Sequence, residues 1–174
     1  YAFTGYYQEL VSLYQVVPLT VADACSLVGA DYSVLVDLDE YVPLDAVNCA
    51  ALGEQVSTVA GFNILADAET LRAAQILAWV DVINAADWIL VVIVLEVEVR
   101  LQLRGNLSDQ VMNATKFIKL FLYAILFVCA AYWGFAGDFL DFWDASLWLF
   151  AFIFIELNVF NWQHETDAEQ SVSA

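Results

Sequence analysis

Hydrophobic and polar positions change character near residue 70. From Leu71 a helical pattern runs almost without breakers to Leu103. At a rise of about 1.5 Å per residue such a helix is roughly 50 Å long, more than the ~30 Å hydrocarbon core of a bilayer, so part of it must project. Its densest apolar stretch is Trp88 to Leu95, with Asp81, Asn84 and Asp87 before it and Glu96, Glu98 and Arg100 after it. After the polar RGNLSDQ turn, Phe117 to Phe135 carries no charge beyond Lys119, and Phe142 to Phe160 holds only Asp144 and Glu156. The pattern predicts three membrane segments, at about 76–100, 117–135 and 142–160.

Residues 1–70 read differently. Tyr6, Leu10, Leu13, Tyr14 and Val17 recur at helical spacing up to Pro18, and Thr20 with Asp23 has the form of a capping box opening a short helix that stops at Gly29. DYSVLVDLDEY at 31–41 reads as an extended segment. Pro43 with Asp45 then opens a helix expected to run to about Thr58. The expectation is an acidic, mainly helical extramembrane region over 1–70, a transmembrane helical region over 71–162, and a flexible acidic tail over 163–174. The fold class is thus an all-α integral membrane protein with about three transmembrane helices. The chain opens with Tyr1 rather than Met, so a signal peptide or an additional N-terminal membrane helix is expected to lie upstream.

Composition strengthens the membrane reading. The 174 residues are 62 % hydrophobic and 15 % aromatic, with a mean hydropathy of +0.69, well above a typical soluble domain. Charge narrows the partners: 22 acidic against 5 basic residues, a formal −17, disfavours nucleic acid and anionic headgroups and favours cations or a basic partner protein. Four of the five basic residues, Arg100, Arg104, Lys116 and Lys119, flank the loop between the first two segments. The positive-inside rule therefore puts that loop and the C-terminus in the cytoplasm and the N-terminal region outside. Asn106-Leu-Ser and Asn113-Ala-Thr, formal glycosylation sequons, lie in the same loop and argue the other way.

Several polar residues are candidates for chemistry. Glu96 and Arg100 are one helical turn apart and suited to pair, whereas Glu98 faces elsewhere; together they read as an interfacial salt bridge or, functionally, as a proton or cation relay. The strict polar and apolar alternation from Glu96 to Arg104 has a strand period, but its context favours helix. Glu156, with Asn158 nearby, requires a partner such as Arg100, Lys119 or another subunit. Asp138, Asp141 and Asp144 recur every third residue, which suits either the positive end of a helix dipole or a cation funnel.

Asp31, Asp37, Asp39, Glu40 and Asp45 form the rest of an acidic outer cluster. Calcium is the ion such a cluster would take, yet the spacing lacks the glycine and terminal glutamate of a calcium loop, so no cofactor is predicted. Cys25 and Cys49 are candidates for a disulfide if the first region lies outside the cytoplasm, and Cys129 reads as a buried hydrophobe. His164 is the only histidine, and no nucleotide loop, nucleophile elbow or metalloprotease helix is present. The expectation is a small non-catalytic subunit of a larger membrane complex, in contact with the bilayer and other membrane subunits. The alternative is a component of a cation channel or transporter that uses Glu96 and Glu156.

Overall fold

A computed structural model of the chain describes residues 2–53, 55–104 and 109–173, with side chains in the last helix described to residue 155 and at Asn158. The elements in chain order are α1 (Ala2–Leu13), β1 (Val16–Leu19), α2 (Val21–Ser26), β2 (Ser33–Asp37), β3 (Glu40–Pro43), α3 (Ala46–Ala51), β4 (Val56–Val59), β5 (Ile64–Asp67), α4 (Ala68–Leu103), α5 (Asp109–Ala136) and α6 (Phe139–Ser173). They form two compact units, residues 1–86 and 87–174, with the boundary inside α4.

The first unit corrects the all-α expectation. Its centre is a five-stranded mixed sheet in the order β1-β4-β5-β2-β3, antiparallel throughout except for the β2–β5 pair. Strand alternation divides its core into two layers. Leu35, Val59 and Ala66 face one side and pack with Leu10 and Leu13 of α1 and with Leu71, Ala74, Ala78 and Val82 of α4. Val34, Val56 and Leu65 face the other side, against Ala24 of α2, Cys49 of α3, Leu44 and Leu52. Each strand is only four or five residues long, and β2, β4 and β5 carry buried residues on both faces, so the sequence offers no long alternation to read.

Local signals define the short elements. Thr20 caps α2 by accepting from the Asp23 N–H at 3.1 Å, and Gly29, at φ 92°, makes the turn beyond it. Asp45 caps α3 in a reciprocal capping box with Asn48. That helix stops at Ala51, and Val56 to Val59 belong to β4 rather than to a helix reaching Thr58. The carboxylate of Asp67 accepts from the N–H groups of Glu69 and Thr70, both at 2.9 Å, and opens α4 directly from the end of β5. Cys25 of α2 and Cys49 of α3 are joined in a disulfide with their Cα atoms 5.4 Å apart.

The second unit is helical. Two helices, Ala68–Leu103 and Gln110–Ala136, are long and apolar enough to cross a membrane, with mean hydropathies of 2.0 and 1.8 over their most apolar windows. α4 stays helical through the alternating stretch to Leu103. α5 ends at Gly137, whose φ of 97° and N–H bond to the Trp133 carbonyl at 3.0 Å close the helix. Asp138 then caps α6. Gly134 permits close packing at this turn, since a Cβ there would stand 3.0 Å from the Phe142 ring. α6 continues to Ser173, where the sequence predicts a flexible tail from 163.

Candidate functional site

Two acidic residues of the helical unit, Asp87 and Glu98, fall on one stripe of α4. Asp87, Val91 and Glu98 are spaced four and seven residues apart and so share a face. Asp87 and Val91 are 3 % and 0 % exposed. Glu98 pairs through Oε2 with Lys119 Nζ of α5 at 3.0 Å, and the Thr115 hydroxyl donates to Glu98 Oε1 at 3.2 Å and to the Met112 carbonyl at 3.0 Å. The Lys119 and Glu98 side chains retain 7 % and 19 % of their exposure, so water does little to screen them. The arrangement ties α4 to α5 and neutralises both charges within the chain.

The remaining sequence candidates are placed less centrally. Arg100 Nε donates to Glu96 Oε1 at 2.6 Å one turn away, with both side chains more than half exposed. Lys119, one of the partners the sequence offers Glu156, is bonded to Glu98. The side chain of Glu156 lies outside the described residues, as do those of Trp162 and His164, and so does Asn106 of the first sequon. Asn158 is exposed. Trp133 is 4 % exposed, and its indole Nε1 has no hydrogen-bond partner among the described residues. Asp87 Oδ2 is likewise buried without one among the described residues.

The acidic candidates serve local geometry. Asp45 and Asp138 are helix caps, Asp37 accepts from the Leu38 N–H at 2.9 Å in the β2–β3 turn, and Asp31 and Asp144 are exposed. Asp141 donates its N–H to Asp138 at 3.3 Å in the first turn of α6. Asp39 and Glu40 lie at the β2–β3 turn, where Asp39 acts on two groups that the sequence does not single out. Burial, followed by the negative charge of Asp39, raises the Glu9 carboxyl above 4.5. Burial, then Glu9 and then Asp39 raise the Tyr41 phenol above 10.0. Among the described residues no group of three His, Cys, Asp or Glu side chains is placed to hold a metal ion.

Sequence reasoning thus passed over Asp87, Thr115 and Glu9. The helical phase linking Asp87, Val91 and Glu98 was available as a signal for the first. Thr115 and Glu9 become visible only when α5 meets α4 and the β2–β3 turn comes near α1. Comparison with protein-family models, with curated proteins and with solved structures found no match in any of the three.

Proposed function

We propose that the chain is an integral membrane subunit without catalytic activity of its own, built to hold an extracytoplasmic α/β unit in a larger transport or energy-transducing assembly. The observation that carries this reading is the Glu98–Lys119–Thr115 cluster, which spends its charges on joining two helices rather than offering them to a path. Membrane insertion is supported by α4 and α5, whose most apolar windows are only 28 % and 33 % buried, whereas the core helix of a water-soluble domain is mostly covered. Phe117, Leu120, Phe121, Phe127, Val128 and Phe135 stand exposed along α5, a surface suited to lipid tails and neighbouring helices. α6 would be the third crossing.

Two independent features support an external N-terminal unit. The basic residues gather between α4 and α5, which favours that connection in the cytoplasm. A Cys25–Cys49 disulfide in the first unit suits an oxidising compartment. An odd number of crossings would then leave the C-terminus inside, and the acidic first unit would face basic partners or cations.

Native mass spectrometry of the protein, solubilised gently from its own membrane, tests the proposal. Different subunits co-purifying in fixed stoichiometry are expected. A lone homo-oligomer that conducts cations in vesicles would replace this reading with the channel or transporter.

A further inference from the structure

The first unit contains eleven carboxylate side chains and one basic residue, Arg72. With that excess of acids, a surface arginine would ordinarily find an ion pair. Arg72 makes none among the described residues. It lines instead a cavity of about 390 Å³ together with Pro18, Gln55, Ser57, Ala68, Leu71 and Gln75.

The fold explains why these residues meet. Pro18 of β1 and Ser57 of β4 are directly paired in the sheet. Alternation sends both to the face covered by α4, because Val16 and Val59, each two residues away, pack into that layer. On the helix, Ala68, Leu71, Arg72 and Gln75 occupy one stripe over the first two turns. The space between sheet and helix is lined by the apolar Pro18, Ala68 and Leu71 and by Arg72. The Gln75 amide N–H already donates to the Leu13 carbonyl at 2.9 Å, fixing that side chain. Among the described residues the Gln55 amide and Ser57 hydroxyl have no hydrogen-bond partner, and they supply further donors.

We infer that this cavity is a binding site for a small molecule or chain end carrying a single carboxylate on a short apolar body, with Arg72 as the group that holds the carboxylate. A guanidinium presents two parallel N–H donors that match the two oxygens of a carboxylate. The cavity lies within the ~300–1,000 Å³ range of small-ligand sites. Its apolar walls would take a few carbon atoms. The surrounding carboxylates, through long-range repulsion, select against multiply charged anions such as nucleotides. The same chemistry is offered by a medium-chain fatty acid and by a peptide C-terminus.

Isothermal titration of the full-length protein in a neutral detergent distinguishes these sources. Octanoate and the blocked dipeptide acetyl-Ala-Leu with a free carboxylate are titrated alongside octanamide and acetyl-Ala-Leu-amide. At least one acid is expected to bind saturably, at least about tenfold tighter than its amide, and Arg72→Gln should abolish that preference. Arg72→Lys, which keeps the charge but loses the fork, should retain only part of it. Binding of octanoate alone assigns the site to lipid-derived acids, and binding of the dipeptide alone assigns it to chain ends. Absence of saturation by either acid, or equal binding by acid and amide, would overturn the inference. So would an acid preference that survives Arg72→Gln in a variant with unchanged circular dichroism.

Discussion

Replacing Lys119 by Met tests whether the polar stripe of α4 joins helices. The substitution keeps the length of the side chain and removes its charge, leaving Glu98 with the Thr115 hydroxyl alone. Both partners are well below one-third exposed, so the cost approaches that of breaking a buried ion pair, about 3–5 kcal/mol. Glu98→Gln alone removes the negative charge that faces the buried ammonium and should also be destabilising. The double variant removes both charges and should lie within about 1 kcal/mol of the parent, since no unpaired charge is left buried and the amide introduced at position 98 keeps the Thr115 hydroxyl as a partner. The cycle should thus return a coupling of several kcal/mol, where residues without mutual contact give nearly none. Reversible unfolding in mixed SDS micelles, followed by circular dichroism, measures all four proteins. If the two single costs simply sum in the double variant, Glu98 and Lys119 do not act as a pair and the cluster does not join the helices.

Two further outcomes are expected in the first unit. Replacing both Cys25 and Cys49 by Ser opens a link between positions 24 residues apart and should cost about 3 kcal/mol by the chain-entropy estimate, measured by urea unfolding with and without reductant; equal stability of the oxidised parent and the double variant would contradict this. The raised Glu9 carboxyl makes a signed prediction about pH: the folded state holds the proton more tightly than the unfolded chain, so this contribution is fully present below 4.5 and is lost as pH rises through the raised value. Glu9→Gln should remove that loss, and Asp39→Asn should shrink it by removing one of its two causes; urea midpoints from about pH 4 to about pH 7 would show no change of slope if burial and Asp39 do not act on Glu9.

The apolar helices were legible because their signal is long: more than twenty residues of consistent composition outweigh a few charges, and α4 and α5 are long and apolar enough to cross a membrane. The caps at Thr20 and Asp45 were legible because each signal is contained within four residues. The sheet was not, because β1 begins just past the helical run of α1 and contains Pro18, while β4 follows α3 with the same apolar density. Pro18 is tolerated because β1 is an edge strand. The β2–β3 hairpin was half-visible as the extended stretch at 31–41, but its pairing with β5, some thirty residues later, has no local trace.

The candidate site divides along the same line. Glu96 and Arg100 could be paired from sequence because helix geometry alone brings them together, and that pair is exposed and contributes little energy. Lys119 required a second helix, and the pair it makes is the buried one. Charge and spacing alone therefore do not separate the two acids on α4. The physical criterion that separates Glu98 from Glu96 is the face it shares with Val91 and Asp87. A carboxylate on that face must be neutralised where it stands, whereas one facing outward can use the nearest arginine or the solvent. The same criterion sets Asp87 apart, because its Oδ2 lies on the buried face without a hydrogen-bond partner. If Glu98 and Lys119 prove coupled, the joining function of the stripe is supported at one end, and Asp87 becomes the position at which a polar group inside the bundle has yet to be matched.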